Sequence, residues 1–136
     1  MKFLTKISAL FIFCLFAVLL VSFTACQTDD IMKKVIGTTW IRSFEDDKNG
    51  TEAYRPETYE FPPARGREGW KFEEDGTLKK QAIAATDGYV GKEGTWTFSN
   101  ENNQNIIHIS LKDIKSSYEI ISVSDSILFV KPVEDN

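Results

Sequence analysis

Apolar and polar residues trade places at nearly every step through most of this chain, and that period of two restricts what it can fold into. "TWIRSFE" sets Trp40, Arg42 and Phe44 against Ile41, Ser43 and Glu45. "WKFEE" puts Trp70 and Phe72 on one side and Lys71 and Glu73 on the other. "GTWTFS" opposes Trp96 and Phe98 to Thr95 and Thr97, and "NIIHISL" opposes Ile107, Ile109 and Leu111 to His108 and Ser110. "SYEIISV" and "SILFVK" complete the series. Such alternation marks strands with one buried face. The spacers are turn formers. "DDKNG" (Asp46 to Gly50) and "EDG" (Glu74 to Gly76) carry Asn-Gly and Asp-Gly, which tolerate the positive φ of tight hairpins. "NENNQN" (Asn100 to Asn105) reads as a longer polar hairpin loop, and "SDS" (Ser124 to Ser126) as a further turn. Seven or eight strands joined in this way predict an all-β fold, a small antiparallel up-and-down barrel, because closure removes exposed edges. Ahead of them, "DIMKKVIG" predicts a short helix from Asp29 or Asp30 that stops at Gly37.

The first residues carry a different message. Lys2 and Lys6 precede an apolar run from Ile7 to Phe23, followed by Thr24-Ala25-Cys26. A basic start, an apolar middle and a small residue before the cut mark a secretory signal. The run also approaches the length of a membrane span, which leaves a retained anchor as the alternative. Cys26 favours the signal, because "VSFTAC" resembles a bacterial lipobox, cleaved just before a diacylated cysteine. That resemblance implies lipidation at Cys26 and a mature protein anchored to the bacterial outer membrane, since several acyl chains hold far more firmly than one. Asp29-Asp30 after Gln27 resembles a surface-export signal of Bacteroidota-type lipoproteins, or serves as a plain polar tether. The expected organisation is a signal peptide over 1–25, a tether over 26–34 and a barrel over 35–133. Cys14 would leave with the signal and Cys26 would be acylated, so no thiol remains for disulfides, metal binding or catalysis. Without Lys2 and Lys6 the 16 basic residues fall to 14 against 20 acidic ones, a poor balance for binding nucleic acid.

"YRPETYEFPPARGREGW" (Tyr54 to Trp70) breaks the alternation. Pro56, Pro62 and Pro63 remove donors and exclude a central strand, and Gly66 and Gly69 permit sharp reversals. The stretch reads as a stiff loop rich in adhesive side chains. Arg55, Arg65 and Arg67 balance Glu57, Glu60 and Glu68. One reading makes it a structural plug over an open barrel end, its arginines paired with those glutamates and with Asp46 or Asp47. The other makes Arg65 and Arg67 a two-pronged grip on a carboxylate or phosphate beside Tyr54 and Tyr59, a task suited to guanidinium forks. Arg42 falls on the same side as Trp40 and Phe44, so it needs a partner or a ligand. His108, opposite Ile107 and Ile109, is expected to be exposed. No Ser-His-Asp set, His pair or P-loop spacing occurs, and "EDDKNGTE" lacks the register of a calcium loop. The sequence therefore implies no catalytic residue, no metal and no cofactor.

The order "G..W", "W.F..DGTL", "G.W.F", "Y.I..VSDSILFV" resembles the lipocalin-like domains of short bacterial lipoproteins. The stretch from Tyr54 to Thr77 is similar to a subfamily of these with an Arg-Pro…Tyr-x-Phe-Pro-Pro-x-Arg-Gly-Arg core. The resemblance covers most of residues 35 to 132 and implies the barrel, but it brings no activity. Trp40, Phe44, Trp70, Phe72, Trp96 and Phe98, all facing inward, would largely fill an eight-stranded barrel. "QAIAATDGYVG" (Gln81 to Gly91) leaves room at one end. The leading expectation is a lipid-anchored binding module. A small anionic or amphipathic ligand would sit at the loop-covered mouth, held by Arg42, Arg55, Tyr59, Arg65 and Arg67 against Trp70. The alternative is a plugged barrel acting as a spacer or as a docking domain for an envelope protein.

Overall fold

The computed structural model describes residues 28–64, 66–83, 89–112 and 114–134. The signal segment, Cys26, Arg65 and part of the Gln81–Gly91 stretch lie outside the described residues. The chain divides into two units, Met1–Met32 and Lys33–Asn136. Of the first, residues 28–32 are described, as the start of helix α1 (28–35). The polar stretch expected to be a tether is thus helical from residue 28. Among the described residues, no helix is long and apolar enough to cross a membrane.

The second unit holds eight strands: β1 (Thr39–Arg42), β2 (Glu52–Pro56), β3 (Glu68–Phe72), β4 (Thr77–Ile83), β5 (Tyr89–Glu101), β6 (Gln104–Leu111), β7 (Ile114–Val123) and β8 (Leu128–Val133). They close into an antiparallel barrel in the order β1-β2-β8-β7-β6-β5-β4-β3. From β3 to β8 each strand pairs with the next, as a meander should. The start departs from the up-and-down expectation: β1 lies between β2 and β3 and is antiparallel to both. Strands β2 and β3 therefore run parallel, and parallel strands need a crossover of about a dozen residues. Residues 57–67 are that crossover. The long proline-bearing loop exists because the chain must pass over β1. Its first residues are still strand: Tyr54, Arg55 and Pro56 belong to β2, which pairs with β1 and β8.

Register decides which side chains face inward. Trp40 pairs with Trp70 and with Pro56, and Ile107 pairs with Phe98 and Tyr118. Trp40, Phe72, Trp96, Ile107, Ile109 and Leu111 are buried, as their alternation predicts, and Leu78, Leu128 and Val130 are buried with them. Phe72 and Trp96 meet edge to face at 5.5 Å. The indole N–H groups of the two buried tryptophans are satisfied by carbonyls, Trp40 Nε1 donating to Val35 O at 3.1 Å and Trp96 Nε1 to Glu73 O at 2.9 Å. Phe44 breaks the pattern. Strand β1 ends at Arg42 and a single 3-10 turn, Phe44–Asp46, follows, which leaves Phe44 49% exposed.

Helix α1 stops where expected, with Gly37 at φ +79° and its N–H bonded to Phe72 O. Asn49 and Gly50 both take positive φ in the turn before β2, the signature of a tight primed turn. Asn100–Asn105 is not a long loop. Asn100 pairs with Asn105 and Glu101 with Gln104, leaving Asn102 and Asn103 as a two-residue turn, both at positive φ.

Gly94 permits the closest approach in the wall. A Cβ there would sit 2.3 Å from Ser110 O, whereas one at Gly91 meets nothing within 4 Å. Gly94→Ala is expected to lower stability by about 1–3 kcal/mol, as overpacking does, with Gly91→Ala near neutral. Urea melts of the two variants check this.

Candidate functional site

In each of β1, β2 and β3 the odd-numbered residues point away from the barrel. Trp40, Tyr54 and Trp70 line the interior, so their neighbours in register, Ile41, Arg55 and Gly69, face outward. Yet Ile41, Ala53, Ser43, Arg67 and Gly69 are buried. The crossover and the 3-10 turn cover them from outside. The stretch from Glu57 to Arg67 is therefore a strap across the outer face of β1, and neither a plug nor a cover for the mouth. Glu57 N–H donates to Thr39 O at 2.9 Å where the strap begins.

Three consecutive acids fasten the end of the strap and the two strands beside it. Glu45 accepts from Arg67 Nη1 at 3.0 Å and from Nη2 at 2.5 Å. Arg67, 3% exposed, also donates to Arg42 O and Pro62 O, each at 3.0 Å. Asp46 accepts from Arg55 Nε at 2.8 Å and Nη2 at 3.1 Å. Asp47 accepts from Arg42 Nη1 at 2.5 Å and Nη2 at 2.7 Å, and from Ala53 N–H at 2.9 Å. Paired oxygens meeting paired nitrogens form the fork-on-fork geometry that arginine provides and lysine does not. The hydrogen bonds from Arg67 hold the Glu45 carboxyl down at about 2. Those from Arg55 and from Arg42 lower Asp46 and Asp47 likewise.

The guanidinium faces are also used. Arg42 lies 5.4 Å from the centre of the Tyr54 ring and 4.9 Å from that of Phe44. Arg67 lies 5.9 Å from Phe44 and 4.9 Å from Phe61. Phe61 meets Tyr59 edge to face at 5.1 Å, and Arg55 lies 4.6 Å from Tyr59. Rings and cations thus alternate from the barrel rim out to the strap surface, each cation–π contact worth about 0.5–1 kcal/mol where exposed.

Among the described residues the interior is closely packed around Trp40, Phe72 and Ile107. A void of about 20 Å³, room for roughly one water, opens toward the mouth between Trp70, Tyr54, Tyr118 and Ile109. Trp70 is half-buried, and its Nε1 donates to the Tyr54 hydroxyl at 3.4 Å. That hydroxyl donates to Glu52 at 2.9 Å, and burial, then the Glu52 charge, raises its pKa. Lys80 lies 5.0 Å from the Trp70 ring and 2.7 Å from Glu68.

The six residues expected to form one site are thus divided. Arg42 and Trp70 stand at the rim and in the interior. Arg55, Tyr59 and Arg67 lie outside the wall, and Arg65 lies outside the described residues. The arginines Arg42, Arg55 and Arg67 are each occupied by a carboxylate, and the two-pronged grip expected of Arg65 and Arg67 falls in part outside the described residues. Sequence reasoning named Asp46 and Asp47 as partners but missed Glu45, taking it for part of a strand. The signal was available in three successive acids beside a turn. It also missed the surroundings of His108, which is half-buried. The ring nitrogens sit 2.9 Å from Ser99 Oγ and 2.9 Å from Ser117 Oγ. Around it, Thr95, Thr97, Ser110, Lys115 and Ser117 line an outer-wall trough of about 310 Å³.

Arg67→Ala removes a buried guanidinium that bridges Glu45 and two part-buried carbonyl contacts and is expected to lower stability by roughly 2–3 kcal/mol, more than Arg55→Ala, in denaturant melts. The three depressed carboxyls also set an acid limit. Their stabilising effect is complete above the unfolded carboxylate range near pH 4 and is lost as pH falls through the folded values, for Glu45 about 2. Stability measured from pH 6 down to 2 should hold to about pH 4.5 and then fall, less steeply in Arg67→Ala, which lacks the Glu45 contribution.

Compared with known proteins, the chain matches no family model, no curated protein and no solved structure.

Proposed function

We propose that this chain is a lipid-anchored protein of the bacterial envelope whose barrel serves as a rigid docking and spacing domain. The carrying observation is the strap: Arg42, Arg55 and Arg67 are each spent on a carboxylate, so the loop that looked most like a ligand grip is a fixed surface instead. It presents Phe44 and Tyr59, 49% and 39% exposed, beside exposed Pro62 and Pro63. Rings held in place by guanidinium stacking need little ordering when a partner arrives, which favours association. The lipobox-like "VSFTAC" and the resemblance to lipocalin-like lipoprotein domains support anchorage through Cys26 at the outer membrane, with an envelope protein as the partner. The reading gives no residue a catalytic role and requires no cofactor.

One observation favours a second reading, a ligand-binding barrel: the interior void opens outward between aromatic walls, with Trp70, Tyr54 and Tyr118 around it. Such a site admits only a small apolar group attached to a polar head.

Three measurements decide between them. Labelled palmitate should enter the protein and be absent from Cys26→Ala. A photo-crosslinking residue at position 44 or 59 should give one discrete protein adduct in cells; none at either position would remove the docking reading. Native mass spectrometry should show polypeptide and acyl anchor only. A reproducible additional small mass, lost in Trp70→Ala, would transfer the function to the mouth.

A further inference from the structure

Strand β6 lies diametrically across the barrel from β1, and among the described residues its outer face opens into a trough. The trough there is cut into β5, β6 and β7, with Thr95 and Thr97 on one bank, His108 and Ser110 in the middle, and Lys115 and Ser117 on the other. Neither the strap nor the interior accounts for it. We propose that this trough binds a tetrahedral oxyanion of the sulfate and phosphate class, and holds it more tightly when the His108 ring carries its second proton.

The argument begins with proton counting. A neutral imidazole offers one N–H and one lone pair. With a serine hydroxyl 2.9 Å from each nitrogen, one serine must donate into the ring and the other must accept from it. The accepting serine keeps its own O–H free for a ligand, while the donating serine does not. When the ring is an imidazolium both nitrogens donate and both serines accept, so Ser117 in the trough and Ser99 beside it on β5 each keep a free O–H. One added proton therefore turns one free donor into two and brings a positive charge beside them. Lys115 supplies a second cation and has no carboxylate partner among the described residues. Neighbouring strands are about 4.8 Å apart, so hydroxyls and charges from three of them can surround a single anion.

The surroundings favour an anion over a sugar. The chain is acidic overall, net −4, yet among the described residues no carboxylate lines the trough. On the outer face of β5, Glu93 and Glu101 stand beyond its two ends, and on β7 Glu119 sits in register with Lys131 of β8. Trp96 and Ile109 form the floor, but by register they belong to the inner face, so no ring plane is offered for stacking.

Sulfate is the appropriate probe, because its charge stays constant from pH 8 to 5. Calorimetric titration of the full chain in uncharged detergent, at constant ionic strength set with chloride, should show saturable one-site binding. It should be about tenfold tighter at pH 5.5 than at pH 8, the effect of one added charge-assisted hydrogen bond. His108→Gln keeps hydrogen bonding but cannot gain charge, and should bind equally at both pH values. Lys115→Ala should weaken binding about tenfold at both. If His108→Gln fails to melt like the parent, His108→Asn replaces it, with the same loss of pH dependence expected. Inorganic phosphate binding as well as a water-soluble dibutyryl phosphatidic acid assigns a free anion, and tighter binding of the latter assigns a lipid headgroup. No saturable binding of sulfate or phosphate at either pH, or a pH dependence that survives replacement of His108, overturns the proposal.

Discussion

The parallel course of β2 and β3 is the constraint from which most of this molecule follows. With β1 inserted between them, the chain has to cross the outside of the wall, and a crossing loop brings carbonyls and side chains against a surface that must then exclude water. The 3-10 turn answers this. At three residues per turn, successive side chains point about 120° apart, so Glu45 and Asp46 diverge, and Asp47 at the exit of the turn takes a third direction. Each meets a different arginine: Arg67 from the end of the strap, Arg55 from β2 and Arg42 from β1. Three parts of the chain, distant in sequence, are fastened to one tripeptide. Single exposed ion pairs are worth little; these gain from bidentate geometry and from the rings stacked on the guanidinium faces.

Much of the fold was legible because period two reports burial directly. Trp40, Phe72, Trp96 and the Ile107, Ile109, Leu111 series all face where the alternation puts them. The reading failed at Phe44 for a physical reason: alternation has meaning only while a residue stays in the ladder, and the chain leaves it after Arg42. It failed again in the strand order. Pro62 and Pro63 indicate a stiff loop, but composition does not say whether that loop closes a barrel end or crosses a wall. Only the register of β1 with both β2 and β3 settles it.

The candidate site was legible as a set of residues but not as a place. Arg65 and Arg67 suggested a two-pronged grip, because guanidinium forks suit a carboxylate or phosphate. The deciding fact was long-range: Arg55 stands beside Ile41, on the face turned away from Tyr54 and Trp70. A one-residue difference in register would have sent the same guanidinium inward. Of the partner acids, Asp46 and Asp47 were legible in the turn and Glu45 was hidden, because it reads as the last residue of an alternating strand.

The outward-facing positions hold one more pattern. Where the strap lies, Ile41, Ala53 and Gly69 are apolar or without a side chain, and the buried Ser43 and Arg67 are hydrogen-bonded within the protein. Across the barrel the outward positions are Thr95, Thr97, His108, Ser110 and Ser117, polar and able to hydrogen-bond. Both sets obey the same alternation, and both lie on a wall with no free edge. The difference between them records what covers the wall. A covered stretch must be dry, so it carries groups that lose nothing by leaving water. An uncovered stretch keeps groups that water, or a ligand resembling water in its hydrogen bonding, can satisfy. The outer face of β6 is thus built for a polar neighbour, and the outer face of β1 for the chain's own strap.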